Sequence, residues 1–192
     1  MDTTPDDPVL RDCRRCELAR RLVLHQARTQ TITALTNLSR HQLAQLRRRS
    51  SIPESTRPRG PSPRSLMRFT HSPRARGDGA ALAVFCRAYS VLPAQAPRHN
   101  RLTLEFGEKL CATYEAYNAC FPQAEISIEE LLSLVLGIAD NREIGLGCCA
   151  SCGGTMLVDR LACHGATCIH CENQESGGNS ADPQVPDGSF EG

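Results

Sequence analysis

The sequence has no long hydrophobic run. Its longest, Leu131–Ala139, is interrupted by Ser133 and is too short to span a bilayer. A secretory leader is missing as well: the opening MDTTPDDPVL is acidic where a leader would be basic and then apolar, so a cytoplasmic protein without a membrane is expected. No nucleophile–base pair, phosphate-binding loop or open metal site can be read, which argues against an enzyme. Tryptophan is absent, and lysine is reduced to Lys109.

That scarcity of lysine gives the chain's charge its character. The formal net charge is only +1, but its distribution is uneven. Residues 1–101 carry 19 arginines and 7 acidic residues; residues 102–192 carry 3 basic and 14 acidic residues. The halves therefore differ by about +12 against −11, a split that points to a polyanion partner for the first half. Every cation in that half is arginine, whose planar fork suits phosphates and guanine edges. Double-stranded DNA is the expected partner.

The pattern along the chain is mainly α. Val9, Cys13, Cys16, Leu22, Val23, Ala27 and Leu35 fall roughly on one stripe, so the spacing predicts a helix from Pro8 to about Leu35. The C-x-x-C at Cys13 and Cys16 lacks a redox-motif context and reads as buried small residues. Thr36-Asn37-Leu38 breaks the period. Ser39 is then a good N-cap, and Gln42 completes a capping box before Leu43 and Leu46. Helix, short turn and short polar helix give a helix-turn-helix outline. In that outline Arg40, His41 and Gln42 face base edges, and Arg47, Arg48 and Arg49 take phosphates.

Residues 50–79 are rich in proline, glycine and arginine and read as a basic, semi-extended crossover. Helix is expected again from Ala80 to before Pro93, over Leu102–Cys120, and over IEELLSLVLGIA after a Ser127 cap, where Glu129 and Glu130 complement the helix dipole. Residues 1–146 thus form a helical DNA-binding and oligomerisation region, 147–172 a small metal lobe, and 173–192 a polar, disordered tail.

The lobe carries the strongest signal. Eleven cysteines in a reducing compartment read as metal ligands or packed thiols. Cys149/Cys152 and Cys168/Cys171 are two C-x-x-C pairs separated by fifteen residues, a zinc-site spacing. Gly153-Gly154 permits the tight turn after the first knuckle, and TMLVDRLAC between the pairs is strand-like, giving a zinc-ribbon-like lobe. Four thiolates fill one tetrahedral Zn2+ per chain and leave no position for catalytic water. Such binding contributes about 10–16 kcal/mol in small domains, so the lobe's folding should depend on the ion. Cys148, Cys163, His164 and His170 stand beside this set, and pairing Cys148 with Cys152 is a looser register.

These features, in this order, resemble the FlhC family of flagellar transcriptional activators. The likeness lies in ARRLVLHQARTQTITALTNLSRHQLAQLRRR, PRGPSP, VFCRAYSVL and CCASCGG…CIHC, and spans about residues 18–172. The family's zinc cysteines fall on Cys149, Cys152, Cys168 and Cys171. The resemblance implies a cytoplasmic DNA-binding activator of flagellar operons. It would act in a hetero-oligomer with an FlhD-type subunit and help RNA polymerase use flagellar promoters. The family carries tryptophan after the Pro-rich crossover, where this chain reads SLMRFTHSPRARGDG. The acidic stretch around Glu105–Glu130 would suit contacts with FlhD or polymerase. Two other classes fit parts of the pattern. One is a thiol- or metal-based redox sensor using Cys148, Cys163 and His164; the other is a zinc-stapled interaction scaffold without sequence-specific DNA binding.

Overall fold

The computed structural model describes residues 7–49, 66–92, 102–140, 143–161 and 167–177. These residues form a helical body with a small two-stranded ribbon against one side; the main core runs through the helices and into the ribbon, beside a smaller cluster of Cys149, Met156 and Cys171. The expected mainly α class is therefore observed. No described helix is long and apolar enough to cross a membrane.

Helix α1 (Pro8–Leu24) starts where Pro8 fits the first turn and Asp7 Oδ1 accepts from Val9 N–H at 2.9 Å. Its buried face is Leu18, Ala19, Leu22 and Val23. The single helix expected over 8–35 is in fact two. Gln26 adopts φ 57°, and Ala27 N–H turns back to Leu22 C=O at 2.8 Å, closing α1 before α2 (Thr29–Thr36). The N-cap of α2, Arg28, gives no side-chain cap. Glu129, far along the chain, supplies it: its carboxylate accepts from Arg28 N–H at 2.8 Å and Thr31 Oγ1–H at 3.0 Å.

Asn37, left-handed at φ 58°, ends α2. Ser39 and Gln42 then open α3 (Arg40–Arg49) with the expected reciprocal cap: Ser39 N–H donates to Gln42 Oε1 at 2.9 Å and Gln42 N–H to Ser39 Oγ at 3.2 Å. Leu43 is fully buried, and Leu46 packs at its side.

The crossover expected over 50–79 is only partly open to view, because 50–65 lie outside the described residues. Its end is not extended. After a 3₁₀ turn at Met67–Phe69, α4 (Pro73–Ala88) begins seven residues earlier than expected. Pro73 sits at the first helical position, and Ser72 caps the helix by accepting from Ala75 N–H at 3.2 Å. Proline there starts a helix instead of breaking one.

Helices α5 (Leu104–Cys120) and α6 (Ile128–Asp140) follow, capped by Thr103 and by a Ser127/Glu130 box. Only Glu130 works at the start of its own helix; Glu129 is buried and caps α2 instead. Strands β1 (Ile144–Cys148) and β2 (Thr155–Asp159) pair antiparallel, with Ile144 opposite Asp159 and Cys148 opposite Thr155. The last element, α7 (Ile169–Gly177), carries regular structure five residues past the expected start of the tail at 173; residues 178–192 lie outside the described set. The ribbon likewise starts at Ile144, ahead of the expected lobe boundary at 147.

Among the described residues, part of the uneven charge is paired inside the molecule. Arg14 on α1 grips Glu108 on α5 at 2.9 and 2.6 Å, and Arg21 grips Glu115 at 3.0 and 2.7 Å. Arg68 pairs with Glu130, and Lys109 with Glu105 at 2.7 Å. The acidic stretch expected to face partners is thus mostly engaged with the chain's own cations.

Candidate metal centre and basic surface

The ribbon and α7 bring the two C-x-x-C pairs together. Cys149 follows β1 directly, and Cys152 lies in the turn before β2. Cys168 precedes α7, and Cys171 sits in that helix's first turn. The first knuckle closes on itself: Cys149 N–H donates to Gly154 C=O at 2.8 Å and Gly153 N–H to Cys149 C=O at 2.9 Å. This turn requires Gly153 at φ 71°, a left-handed conformation that costs glycine little.

The four Sγ atoms lie within 4.8 Å of one another, and Cys152 and Cys168 sulfurs are 3.7 Å apart. A tetrahedral ion with metal–sulfur bonds of about 2.3 Å needs sulfur–sulfur edges of about 3.8 Å. The four thiols therefore fit a tetrahedral cage and could hold one metal ion. Backbone donors support that use: Cys168 N–H points at Cys149 Sγ (3.2 Å) and Gly154 N–H at Cys152 Sγ (3.4 Å), the outer contacts that orient thiolate ligands. The N–H groups of Cys168 and Cys152 hold the Cys149 thiol down at about 6. Cys171 is pushed up to about 12, first by its hydrogen bond with Cys168 and then by burial. A dication reverses that crowding by drawing all four thiolates together.

The cage is anchored to the helices. Arg76 on α4 donates to both oxygens of Glu172 and to Thr167 C=O, so it grasps the chain on either side of the Cys168/Cys171 knuckle. Arg87 donates to Thr155 Oγ1 at 3.0 Å. At Gly79 the ribbon comes so near that an added Cβ would lie 2.8 Å from Leu157 Cδ1. No sequence signal marked Arg76, which lies in a stretch read as crossover.

The other cysteines separate cleanly. Cys86 and Cys111 are fully buried, and burial pushes each thiol up to about 12, as packed thiols should be. Cys148 is exposed at the end of β1, outside the four. His170 hydrogen-bonds Gln174 at 3.1 Å and is not among the four either. Cys163 and His164 lie outside the described residues. Cys13 and Cys16, expected to be buried, are both exposed. They depart from the expected stripe because α1 buries only its second half, at Leu18, Ala19, Leu22 and Val23, while Val9 is 69% exposed.

The six residues expected to read DNA do not share one environment. Arg40, His41, Arg48 and Arg49 are exposed, and His41 hydrogen-bonds Gln45 at 3.0 Å. The amide oxygen of Gln42 is engaged in the α3 cap. Arg47 departs from the expectation: it is buried, with Nη1 donating to Thr29 Oγ1 at 2.9 Å, because its position follows Leu43 by one helical turn and turns inward. The exposed arginines of α3 are thus Arg40, Arg48 and Arg49. No family model matches the sequence, and a search of curated proteins gives no match.

Proposed function

We propose that the chain is a zinc-containing, DNA-binding transcriptional activator of flagellar operons, of the FlhC kind. It would act in a hetero-oligomer with an FlhD-type subunit to help RNA polymerase use flagellar promoters. The observation that carries the DNA reading is the ion-pair pattern. Four of the five α1 arginines, 14, 15, 20 and 21, pair with acids of the chain, whereas among the described residues Arg40, Arg48 and Arg49 on α3 stay exposed and make no salt bridge. In this reading α2, the Asn37 turn and α3 work as a helix-turn-helix. Arg40 and His41 reach base edges, and Arg48 and Arg49 hold phosphates.

Zinc suits the four-cysteine cage, since four thiolates at these spacings match its tetrahedral preference and leave no open position. Its role is to fix the lobe, not to catalyse. With the acidic residues engaged internally, the partner subunit is better served by the exposed apolar residues Val84, Tyr89 and Phe121.

The test is co-expression with an FlhD-type partner, followed by promoter-fragment binding across a salt series. Specific retention over competitor DNA, weakened in an Arg48→Ala/Arg49→Ala variant, supports the reading. Binding that ignores sequence, or that the double variant leaves unchanged, overturns it. The redox-sensor reading is favoured by one observation, the exposure of Cys148 and of the cage's own Cys152. Loss of zinc and of DNA binding together after mild peroxide treatment would favour it.

A further inference from the structure

We propose that the four-cysteine cage is a modification site for peroxides, and that oxidation links Cys152 to Cys168 across the two knuckles. This rests on the cage reading and deepens the redox one, naming the cysteines that react; it does not depend on DNA binding. The four sulfurs differ in access. Cys149 and Cys171 are buried, at 2% and 7% exposure, in a small cluster with Met156. Cys152 is exposed and Cys168 is half-buried. An oxidant arriving from solvent therefore meets Cys152 first, because oxidation follows thiolate character and exposure. Its partner is set by distance: the Cys168 sulfur lies 3.7 Å away. Cys149 is shielded, and its sulfur accepts from Cys168 N–H at 3.2 Å. Cys148 is exposed too, but it stands outside the cluster.

The chemistry needs a peroxide as oxidant and nothing else. The Cys152 thiolate attacks one oxygen of hydrogen peroxide. A sulfur–oxygen bond forms, the oxygen–oxygen bond breaks, and hydroxide leaves. The Cys168 thiolate then attacks the Cys152 sulfur, forming the disulfide and expelling the second oxygen as hydroxide. Two electrons pass from the thiolates to the peroxide, and two protons from solvent turn the hydroxides into water. The sulfurs must close from 3.7 Å to about 2.05 Å. Gly154 leaves room for that movement, since a Cβ there would lie 3.2 Å from the Cys152 sulfur. The disulfide removes two of four ligands, and the remaining pair cannot fill a tetrahedral site, so a bound ion is released. The knuckles stay tied by the new bond, and Arg76 keeps its hold on Thr167 and Glu172. Reduction therefore restores the cage.

The experiment uses the full chain, loaded with zinc and freed of reductant, then titrated with hydrogen peroxide. Released zinc is followed with a chromophoric chelator, and disulfides are mapped by mass spectrometry after alkylation and trypsin digestion. Trypsin cuts after Arg142 and Arg160, so Cys148, Cys149 and Cys152 share one peptide while Cys168 and Cys171 leave on another. The expected first product is a cross-link between these two peptides at Cys152 and Cys168, formed in step with zinc release and undone by dithiothreitol plus zinc. Cys148→Ser/Cys163→Ser should release zinc and form the same link as the wild type. Release through a disulfide within one peptide, release that needs Cys148 or Cys163, or a cage that keeps its ion under peroxide would each overturn the proposal. A reduced chain that holds no zinc before peroxide is added would instead overturn the cage itself, and the proposal with it.

Discussion

Arg76 on α4 holds Glu172 on α7 with both arms of its guanidinium, at 2.9 and 2.5 Å, and adds an N–H to Thr167 C=O at 2.8 Å. Glu172 follows Cys171 and Thr167 precedes Cys168, so one side chain of the helical body fixes both ends of the second cysteine knuckle. The hydrogen bond between the two raises the arginine's pKa and lowers the glutamate's. The lobe is therefore not a bead on a string.

Arg76→Ala should weaken metal binding by roughly tenfold, the scale at which outer contacts of metal ligands act. Titration against a chromophoric chelator measures it. Arg76→Lys keeps the charge but loses the two-armed grip, and should fall between the two. Unchanged affinity in the alanine variant would show that the knuckle is organised without α4.

Cys149→Ser should abolish binding at the four-cysteine cage, because Cys149 is buried at 2% exposure and accepts from Cys168 N–H at 3.2 Å. Cys148→Ser should leave it intact, since that thiol is exposed and outside the cluster. Metal analysis of the two variants decides between registers that spacing alone left open. Loss of the cage's metal in Cys148→Ser would refute the geometry.

Spacing identified the cage because a two-residue gap is a local property of the chain, and both capping boxes are local too. What the sequence hid was the choice of face and the distant partner. Cys13 and Cys16 share the period of Leu22 and Val23, and no local rule shows that α1 leaves the core in its first half. Arg47 and Arg48 are adjacent and alike, but one turns toward Thr29 and the other toward solvent. Glu129 looked like a dipole partner for its own helix; its actual partners, Arg28 and Thr31, are about a hundred residues away. Proline content misled at Pro73, where the residue opens α4.

Two glycines of α4 should respond in opposite directions. A Cβ on Gly77 would meet nothing within 4 Å, so Gly77→Ala should stabilise by up to about 1 kcal/mol through helix propensity. A Cβ on Gly79 would lie 2.8 Å from Leu157 Cδ1 and 3.2 Å from Phe69 C=O. There the overpacking, about 1–3 kcal/mol, outweighs the propensity gain. Thermal melts of the two variants should shift up and down respectively.

Glu115 makes stability depend on pH. Burial alone would raise its pKa, but the hydrogen bonds from Arg21 and His25 more than offset this and hold it below the ordinary 4.5. A depressed carboxylate contributes stability that is present above its unfolded pKa and is lost as pH falls through the folded value. The melting temperature should therefore drop on acidification below about pH 4.5, and Glu115→Gln should flatten that part of the profile. A variant with the wild-type acid limb would assign the effect to other carboxylates.

The three arginines that end α3 should separate into two kinds. Arg47 is 9% exposed and hydrogen-bonds Thr29, so Arg47→Ala should cost about 1–3 kcal/mol of stability. A weakened DNA affinity in that variant would then follow from misfolding. Arg48 and Arg49 are exposed, and replacing both with alanine should leave the melting temperature within a degree or two. If they hold phosphates, the double variant should bind DNA more weakly at low salt, with the slope of log affinity against log salt reduced by about 1.8. An unchanged slope in a folded double variant would remove α3 from the DNA surface. A changed slope with the wild-type preference for promoter over competitor would instead place sequence reading elsewhere on α3, at Arg40 and His41.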